Sequence, residues 1–600
     1  MGGAPVAVAG IDGAERARVR RRRVAMLLAF GAVPLCLRLW AIDHGDGGSY
    51  VPDAHVVRQA LGMARDRDLV PPVGKYSTYP NLIPYLLLPI YLAQYLLGLV
   101  SGAWSDASGY AEAAAKDPAL VAVPARVLVA LVSAGSGWVA FRAARAAGLG
   151  AGAWIAGWLA GTSLLAVHYA THERPWAFVA FFALLASWAA IEHARGGGWK
   201  ALCWCGAAAG AAFASHQAGL GVLLAPFGAW LLSPRPWRGA LVARVVEGCA
   251  AVLCFALVGV LVGHPYLLVH GSTPQEAVVG GAQLAQLDAV SVGGMPVVLG
   301  VRWESAARLA HAALGYDPLL VSLLVPGLVC AFFVRSLRGV ALFVLGWLGF
   351  FLVNQSDHVR YLLPGLAAGC LPAAACAEAL WRRPWARAVL VVLLCAPLVQ
   401  AARFACILGR EDTRVEGARL AATGEGLLLV DRYGPELPLD RESLLLLRDL
   451  RRSRGEDLRL REAARLARLE SGAESGGVRA VRIEELLDGD ERTGAISVKP
   501  GLESRGGTPE QLLRAIGARR VLEVRREIEV RREVDLPGGR DEGHLYAHLW
   551  RDGREVARVD PARAGGDPRE MRLPTEMEFP LVALWQVERP GPRLRLVELP

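Results

Sequence analysis

Lysine is nearly missing from this 600-residue chain: only Lys75, Lys116, Lys200 and Lys499 stand among 65 basic residues. Charge of either sign is scarce, with 20% charged against 54% apolar residues. That balance excludes an ordinary cytosolic enzyme or a disordered chain of this length. The net charge of +9 comes from arginine scattered along the sequence, not gathered on one face, so nucleic acid is set aside as a partner. Cysteine is absent beyond Cys406 and no Cys-x-x-Cys quartet occurs, so the ten cysteines read as small buried thiols. No Walker-type loop or Gly-x-Ser-x-Gly elbow appears. Gly148, Gly150 and Gly152 open an apolar stretch with no strand before it, which suits close helix packing.

What the chain does have is apolar runs of about 15–20 residues recurring as far as Cys406, most of them long enough to cross a bilayer core. The basic cluster Arg16–Arg23 before the run 24–42 reads as a cytoplasmic start followed by an uncleaved first span. Basic loops at 141–145, 193–200, 234–244, 335–338 and 382–387 alternate with loops richer in histidine and polar residues. The run Asn81–Val100, interrupted by Pro84 and Pro89, fits that alternation only as an interfacial helix that does not cross. The expected spans are then 24–42, 121–141, 150–168, 176–193, 200–214, 218–232, 242–263, 311–334, 340–353, 361–381 and 387–405. The fold class is a polytopic α-helical membrane protein of about eleven helices, followed by a mixed α/β region over 406–600. Residues 1–23 lie inside, 24–405 form the membrane region, and the first outer loop runs over 43–120.

Short strand-like runs at Gly426–Val430, Gly477–Arg482 and Arg519–Glu527, a helix at Pro509–Ile516, a charged helical stretch over Arg441–Leu469 and β-like alternation over Ala583–Leu599 make up the tail. Lacking cysteine past its first residue, this region depends on its own core.

The outward segments carry the chemistry. The first outer loop contains Asp43, His44, Asp46, Asp53, His55, Lys75, Tyr76 and Tyr79-Pro80. The second holds His168, His172, Glu173 and Arg174; Arg126 lies near the outer end of the second span, and Arg360 opens a late helix in Arg360-Tyr-Leu-Leu-Pro364. The Arg-flanked first span, the acidic residue after it, the Lys75-x-x-x-Tyr79-Pro80 run, the Arg-led helix, the Arg-Tyr-Leu-Leu-Pro start and Asp412-Thr413-Arg414 after the last span occur in a set order. In that order, over about residues 24–430, the chain resembles the GT-C superfamily of polytopic glycosyltransferases. The bacterial relatives of dolichyl-phosphate-mannose–protein mannosyltransferases and of the lipid A aminoarabinose transferase are the most similar members. The family's usual Asp-Glu pair is replaced here by Asp53-Ala54.

The resemblance implies transfer of a sugar from a polyprenyl-phosphate donor to an acceptor (protein, lipid or glycan) in the envelope, at the outer face of the inner membrane. A carboxylate deprotonates the acceptor and cations hold the departing phosphate. Asp53 is the candidate base; its setting, Pro-Asp before Ala-His-Val-Val, also reads as a helix N-cap. Glu173 is the candidate second acid. Lys75, Arg126 and Arg360 are candidates for the lipid phosphate; Arg126 reads equally as the partner of an outer-loop carboxylate. His55, Tyr79, His172, His216 and His264 are cleft-lining candidates. His168 and His172 share a helical face but lack a third ligand, and Asp53-Ala-His55 is not an Asp-x-Asp motif, so neither a metal nor another cofactor is expected. The rival readings are a multi-pass transporter or lipid flippase, which would place ionisable groups near mid-membrane, and a non-catalytic envelope scaffold.

Overall fold

The computed structural model describes residues 20–21, 23–45, 55–72, 75–76, 79–233, 241–270, 289–292, 295–298, 303–353, 359–431, 434–489, 496–525, 546–562 and 583–600. Asp46, Asp53 and His358 lie outside the described residues.

By length and composition, six helical stretches among the described residues are able to cross a bilayer: Leu82–Ser101, Ala119–Ala146, Trp176–Ser215, Leu241–Gly263, Val359–Trp381 and Pro384–Ala422. A seventh is the pair Leu309–Tyr316 and Pro318–Phe333, bent by 118°. The count of about eleven is not reproduced by helices of that length, and the reasons are local. Ser163 leaves the helical region (φ −49°, ψ 123°) and splits the expected span 150–168 into Ala151–Thr162 and Leu164–Ala170, its side chain capping the second piece at Ala166 N. Residues Gln217–Leu223 form a 3-10 turn before the short helix Leu224–Leu231. The first span is α-helical over 23–27, widens into a π turn at Leu28–Ala32 and continues as Val33–Leu39.

Trp176–Ser215 would be about 60 Å long as one rod. It is instead a hairpin. Gly196 (φ 101°) and Gly198 (φ 67°) take left-handed conformations open to glycine. The chain returns so far that His216, just past the second arm, stacks on Trp176 at the start of the first, ring centroids 4.4 Å apart.

Small residues let these helices approach closely. Gly206 has no room for a side chain against Ala251, nor has Gly327 against Pro372. The Val359–Trp381 stretch is central, with 83% of its apolar window buried, whereas Leu241–Gly263 is peripheral at 17%. Arg38 and Asp317 are among the ionisable side chains that the bundle encloses. Arg38 donates from Nε to Ser133 Oγ (2.8 Å) and from Nη1 to the carbonyls of Pro34 (2.9 Å) and Gly161 (2.7 Å). Asp317, at the bend, accepts from Ser163 Oγ (2.7 Å) and from the N–H of Leu164 (2.9 Å).

The tail carries a five-stranded sheet: β1 Leu427–Val430, β2 Ala480–Arg482, β3 Ala518–Arg525, β4 Arg554–Val559 and β5 Arg593–Glu598, in the order β2-β1-β3-β5-β4. β1 runs parallel to β2 and β3, and β5 antiparallel to β3 and β4. The alternation of arginine with leucine or valine in Arg593–Glu598 sends Leu594 and Leu596 to the core, where they join Leu428 and Leu522. The charged stretch folds as two helices, Arg441–Arg452 and Leu460–Glu470. Residues 583–586, expected as strand, form a short helix that holds the sheet to the bundle: Arg403 donates to the carbonyls of Leu584 (3.1 Å) and Val587 (2.8 Å). A second tie runs from Arg468 to Glu112 of the Ala107–Lys116 helix, 3.7 Å apart.

Candidate functional site

Apart from Lys75 and His264, the described candidate residues gather at one end of the bundle, where the helices Val33–Leu39 and Gly198–Ser215 finish and Ala119–Ala146, Trp176–Glu192 and Leu363–Trp381 begin. Arg126 and Glu173, expected in separate roles, are bonded to each other: Nε stands 2.9 Å from Oε2, and each side chain is 1% exposed. Arg126 Nη1 also donates to the carbonyls of Ile42 (3.2 Å) and His44 (3.0 Å). Two charges removed from water are kept only when their attraction and hydrogen bonds offset desolvation. The pair therefore ties the first loop to the second. Of the two readings of Arg126, phosphate ligand or partner of an outer-loop carboxylate, the contact is of the second kind.

Histidines extend the tie. His44 Nε2 donates to Thr171 O (3.0 Å) and its ring meets His172 edge-on at 5.1 Å, while His172 lies 5.6 Å from His168. Burial, then the charge of Arg126, pushes His44 down to about 4. Burial also holds His172 well below the usual imidazole range. Both rings are neutral at pH 7. Asp412, whose charge reaches His44, is held by Arg414 (Oδ2 to Nη1, 3.0 Å) at the start of the Thr413–Ala422 helix.

A second group of residues forms a line of rings. His55 meets Tyr79 at 5.6 Å, Tyr79 meets His216 at 5.2 Å, His216 meets Trp176 at 4.4 Å, and Trp176 meets Tyr361 at 4.8 Å. The Arg360 guanidinium lies 5.5 Å over the Tyr361 ring. Four candidates far apart in sequence, His55, Tyr79, His216 and Arg360, thus belong to one assembly. Trp176 and Tyr361 complete it, and sequence reasoning missed both, because an aromatic residue inside an apolar run reads as core. Arg174, over the Tyr169 ring at 5.7 Å and 3% exposed, is a further buried cation beside Glu173.

Lys75 and His264 stand apart from this assembly. Lys75 is ion-paired with Asp66 (3.0 Å) and Asp68 (3.5 Å), at the far end of the His55–Asp66 helix, roughly 16 Å of helix from its start. Hydrogen bonds from Arg65, Tyr76 and Lys75 hold the Asp66 carboxyl well below the usual carboxylate range. His264 is packed: Nδ1 bonds Gly259 O (2.9 Å) and the ring stacks on Phe213 at 4.2 Å. Among the described residues no group of three His, Cys, Asp or Glu side chains is arranged to hold a metal ion.

An apolar groove of about 1020 Å³ leads away from the ring series. Leu202, Leu224, Phe227, Val252 and Trp347 line it, with Gln217 at the ring end. The link is direct, since Gln217 follows His216 and Trp347 Nε1 donates to Tyr361 O (2.7 Å). At its other end stands Trp230, bonded through Nε1 to Arg244 O (2.8 Å).

No family model matches the sequence, and no curated protein matches it. Several solved structures are similar to this chain. One is ArnT from Cupriavidus metallidurans bound to undecaprenyl phosphate, at 14% identity and a TM-score of 0.43, covering 67% of this chain and 66% of that one. Another is the archaeal oligosaccharyltransferase AglB from Archaeoglobus fulgidus in complex with an inhibitory peptide and a dolichol-phosphate, at 11% identity and a TM-score of 0.44, covering 84% and 70%. The oligosaccharyltransferase of that organism tethered to an acceptor peptide gives 10% identity and a TM-score of 0.43, covering 84% and 69%. This chain thus spans just under two thirds of the ArnT chain.

Proposed function

We propose that this chain is a membrane glycosyltransferase of GT-C type, moving a sugar from a polyprenyl phosphate to an acceptor in the cell envelope. The observation that carries the reading is the apolar groove ending at a cation-bearing polar assembly. A polyprenyl tail needs a long apolar trough, and its phosphate needs a cation at the trough's polar end. Arg360 is that cation. Asp53 supplies the base, two residues before the ring series starts at His55. The acceptor's hydroxyl or amine proton passes to the carboxylate as its oxygen or nitrogen bonds the anomeric carbon. The bond from that carbon to the phosphate breaks, and the electron pair leaves with the polyprenyl phosphate beside Arg360. Arg126 and Glu173 are positioning residues that hold the two loops. On the charge alternation of the loops, the site faces the extracytoplasmic side of the inner membrane, with the sheet region above it.

The test is mass spectrometry of envelope lipids, proteins and glycans from cells lacking the gene, complemented by the native chain or by Asp53→Asn. The native chain restores a missing sugar and the variant, inserted at equal level, does not. An unchanged envelope, or restoration by the variant, overturns the assignment.

A transporter reading has one observation in its favour, the enclosed ionisable pair Arg38 and Asp317. Each is tied to backbone or serine groups of neighbouring helices, which suits a fixed scaffold better than a moving binding site. Movement of the carrier across vesicles without sugar transfer would favour that reading.

A further inference from the structure

Ser163 interrupts an apolar run of the bundle and starts the seven-residue helix Leu164–Ala170. A helix start leaves backbone N–H groups without partners inside the helix, and in an apolar interior each needs an acceptor. Here the acceptor is borrowed. Asp317 stands 154 residues further on, at the N-cap position of Pro318–Phe333, yet its carboxylate takes no bond from that helix. Its Oδ2 accepts from Ser163 Oγ (2.7 Å) and Leu165 N–H (3.4 Å), and its Oδ1 from Leu164 N–H (2.9 Å). The same Ser163 Oγ accepts from Ala166 N–H (3.1 Å). The bond to Asp317 therefore fixes the hydroxyl hydrogen and leaves a lone pair turned to the helix.

Tyr316, next to it at the bend, meets the other end of the same helix: its ring lies 6.0 Å from that of His168, and Phe404 closes on His168 at 5.2 Å. Both corner residues are buried. The corner of the bent pair thus grips Leu164–Ala170 at its start and in its last turn. What that helix carries is the second loop. Thr171, its C-cap, offers the carbonyl that His44 bonds, Glu173 meets Arg126, and Trp176 joins His216 and Tyr361. We propose that Asp317 is a positioning residue for the transfer site: by holding the start of Leu164–Ala170 it sets the depth and rotation at which Thr171, Glu173 and Trp176 reach their partners. Its catalytic consequence rests on the sugar transfer proposed above, its structural one on the bonds alone. A carboxylate suits the task because its two oxygens accept from all three donors at once, whereas an amide keeps one acceptor oxygen and a hydroxyl is shorter.

The test compares the full native chain with Asp317→Ala and Asp317→Asn in lipid nanodiscs. The asparagine keeps an oxygen for Leu164 N–H and can reverse the Ser163 bond; the alanine keeps neither. Hydrogen–deuterium exchange read by mass spectrometry should rise roughly tenfold over residues 164–172 in Asp317→Ala and less in Asp317→Asn, with the strands of the sheet unchanged. No change over 164–172, or a rise shared by the sheet, overturns the proposal. With a polyprenyl-phosphate sugar as substrate, a displaced loop should lower kcat roughly a hundredfold in Asp317→Ala, while KM for the donor moves less than about threefold. Asp317→Asn should recover part of that kcat. A raised KM at native kcat, or equal loss in both variants, also overturns the positioning role. A native chain that moves no sugar sinks the proposed function instead, and the exchange data then decide by themselves whether Asp317 holds the loop.

Discussion

Arg126 Nε meets Glu173 Oε2 at 2.9 Å across 47 residues of sequence, and neither side chain reaches solvent. Through the Ile42 and His44 carbonyls that Arg126 also holds, the pair fixes where the first loop leaves the bundle.

Breaking the pair from one side leaves a charge buried without its counterpart. Glu173→Gln or Arg126→Met should each cost about 3–5 kcal/mol of stability. The double variant should lose less than the sum, which thermal unfolding of the four proteins in detergent reads as a coupling energy. Additive losses would show that the two residues act separately.

Arg360 should matter to donor binding more than to folding. Losing a charge-assisted bond to phosphate, on the order of 1.5–3 kcal/mol, predicts that Arg360→Gln raises the KM for a polyprenyl-phosphate sugar roughly ten- to hundredfold. A steady-state assay checks it. Unchanged KM with unchanged kcat removes Arg360 from the site.

Ala256 lines the groove. Filling it by Ala256→Phe should displace part of the tail, raising KM for a long-chain carrier roughly tenfold, the equivalent of about two buried methylenes. A carrier truncated to a few isoprene units should be affected far less. Equal effects on both would show that the tail lies elsewhere.

Low pH should loosen the loops. His44 titrates in the unfolded chain near the usual imidazole value of 6.5 but takes a proton in the fold only near 4. Its contribution is therefore fully present above about pH 6.5 and is lost as pH falls through that window, because the unfolded chain binds the proton first. The depressed His172 acts in the same direction. Thermal midpoints measured from pH 7.5 to 4.5 should fall, and His44→Asn should flatten the fall.

The sequence showed its organisation where composition changes abruptly. The apolar runs stop at Cys406, ahead of the sheet region, and the β-like alternation read over Ala583–Leu599 contains one of its strands, Arg593–Glu598. Arg126 and Glu173 were both legible as candidates, each a lone charge beside an apolar run. Their pairing was not, since it depends on how two loops pack. Asp317 gave no signal: it fell inside the expected span 311–334, and only the fold shows that its carboxylate receives the start of Leu164–Ala170. The break at Ser163 was equally silent, because serine and threonine are common within apolar helices.

Arg38 has a consequence for how the chain is built. Its hydrogen-bond partners Ser133 and Gly161 lie 95 and 123 residues further along. When the translocon releases the opening helix, neither exists yet, so the guanidinium must reach up to the headgroups for water. The opening helix therefore cannot settle into its final rotation until more than a hundred later residues have been threaded into the bilayer, and biogenesis has to hold it loosely until then.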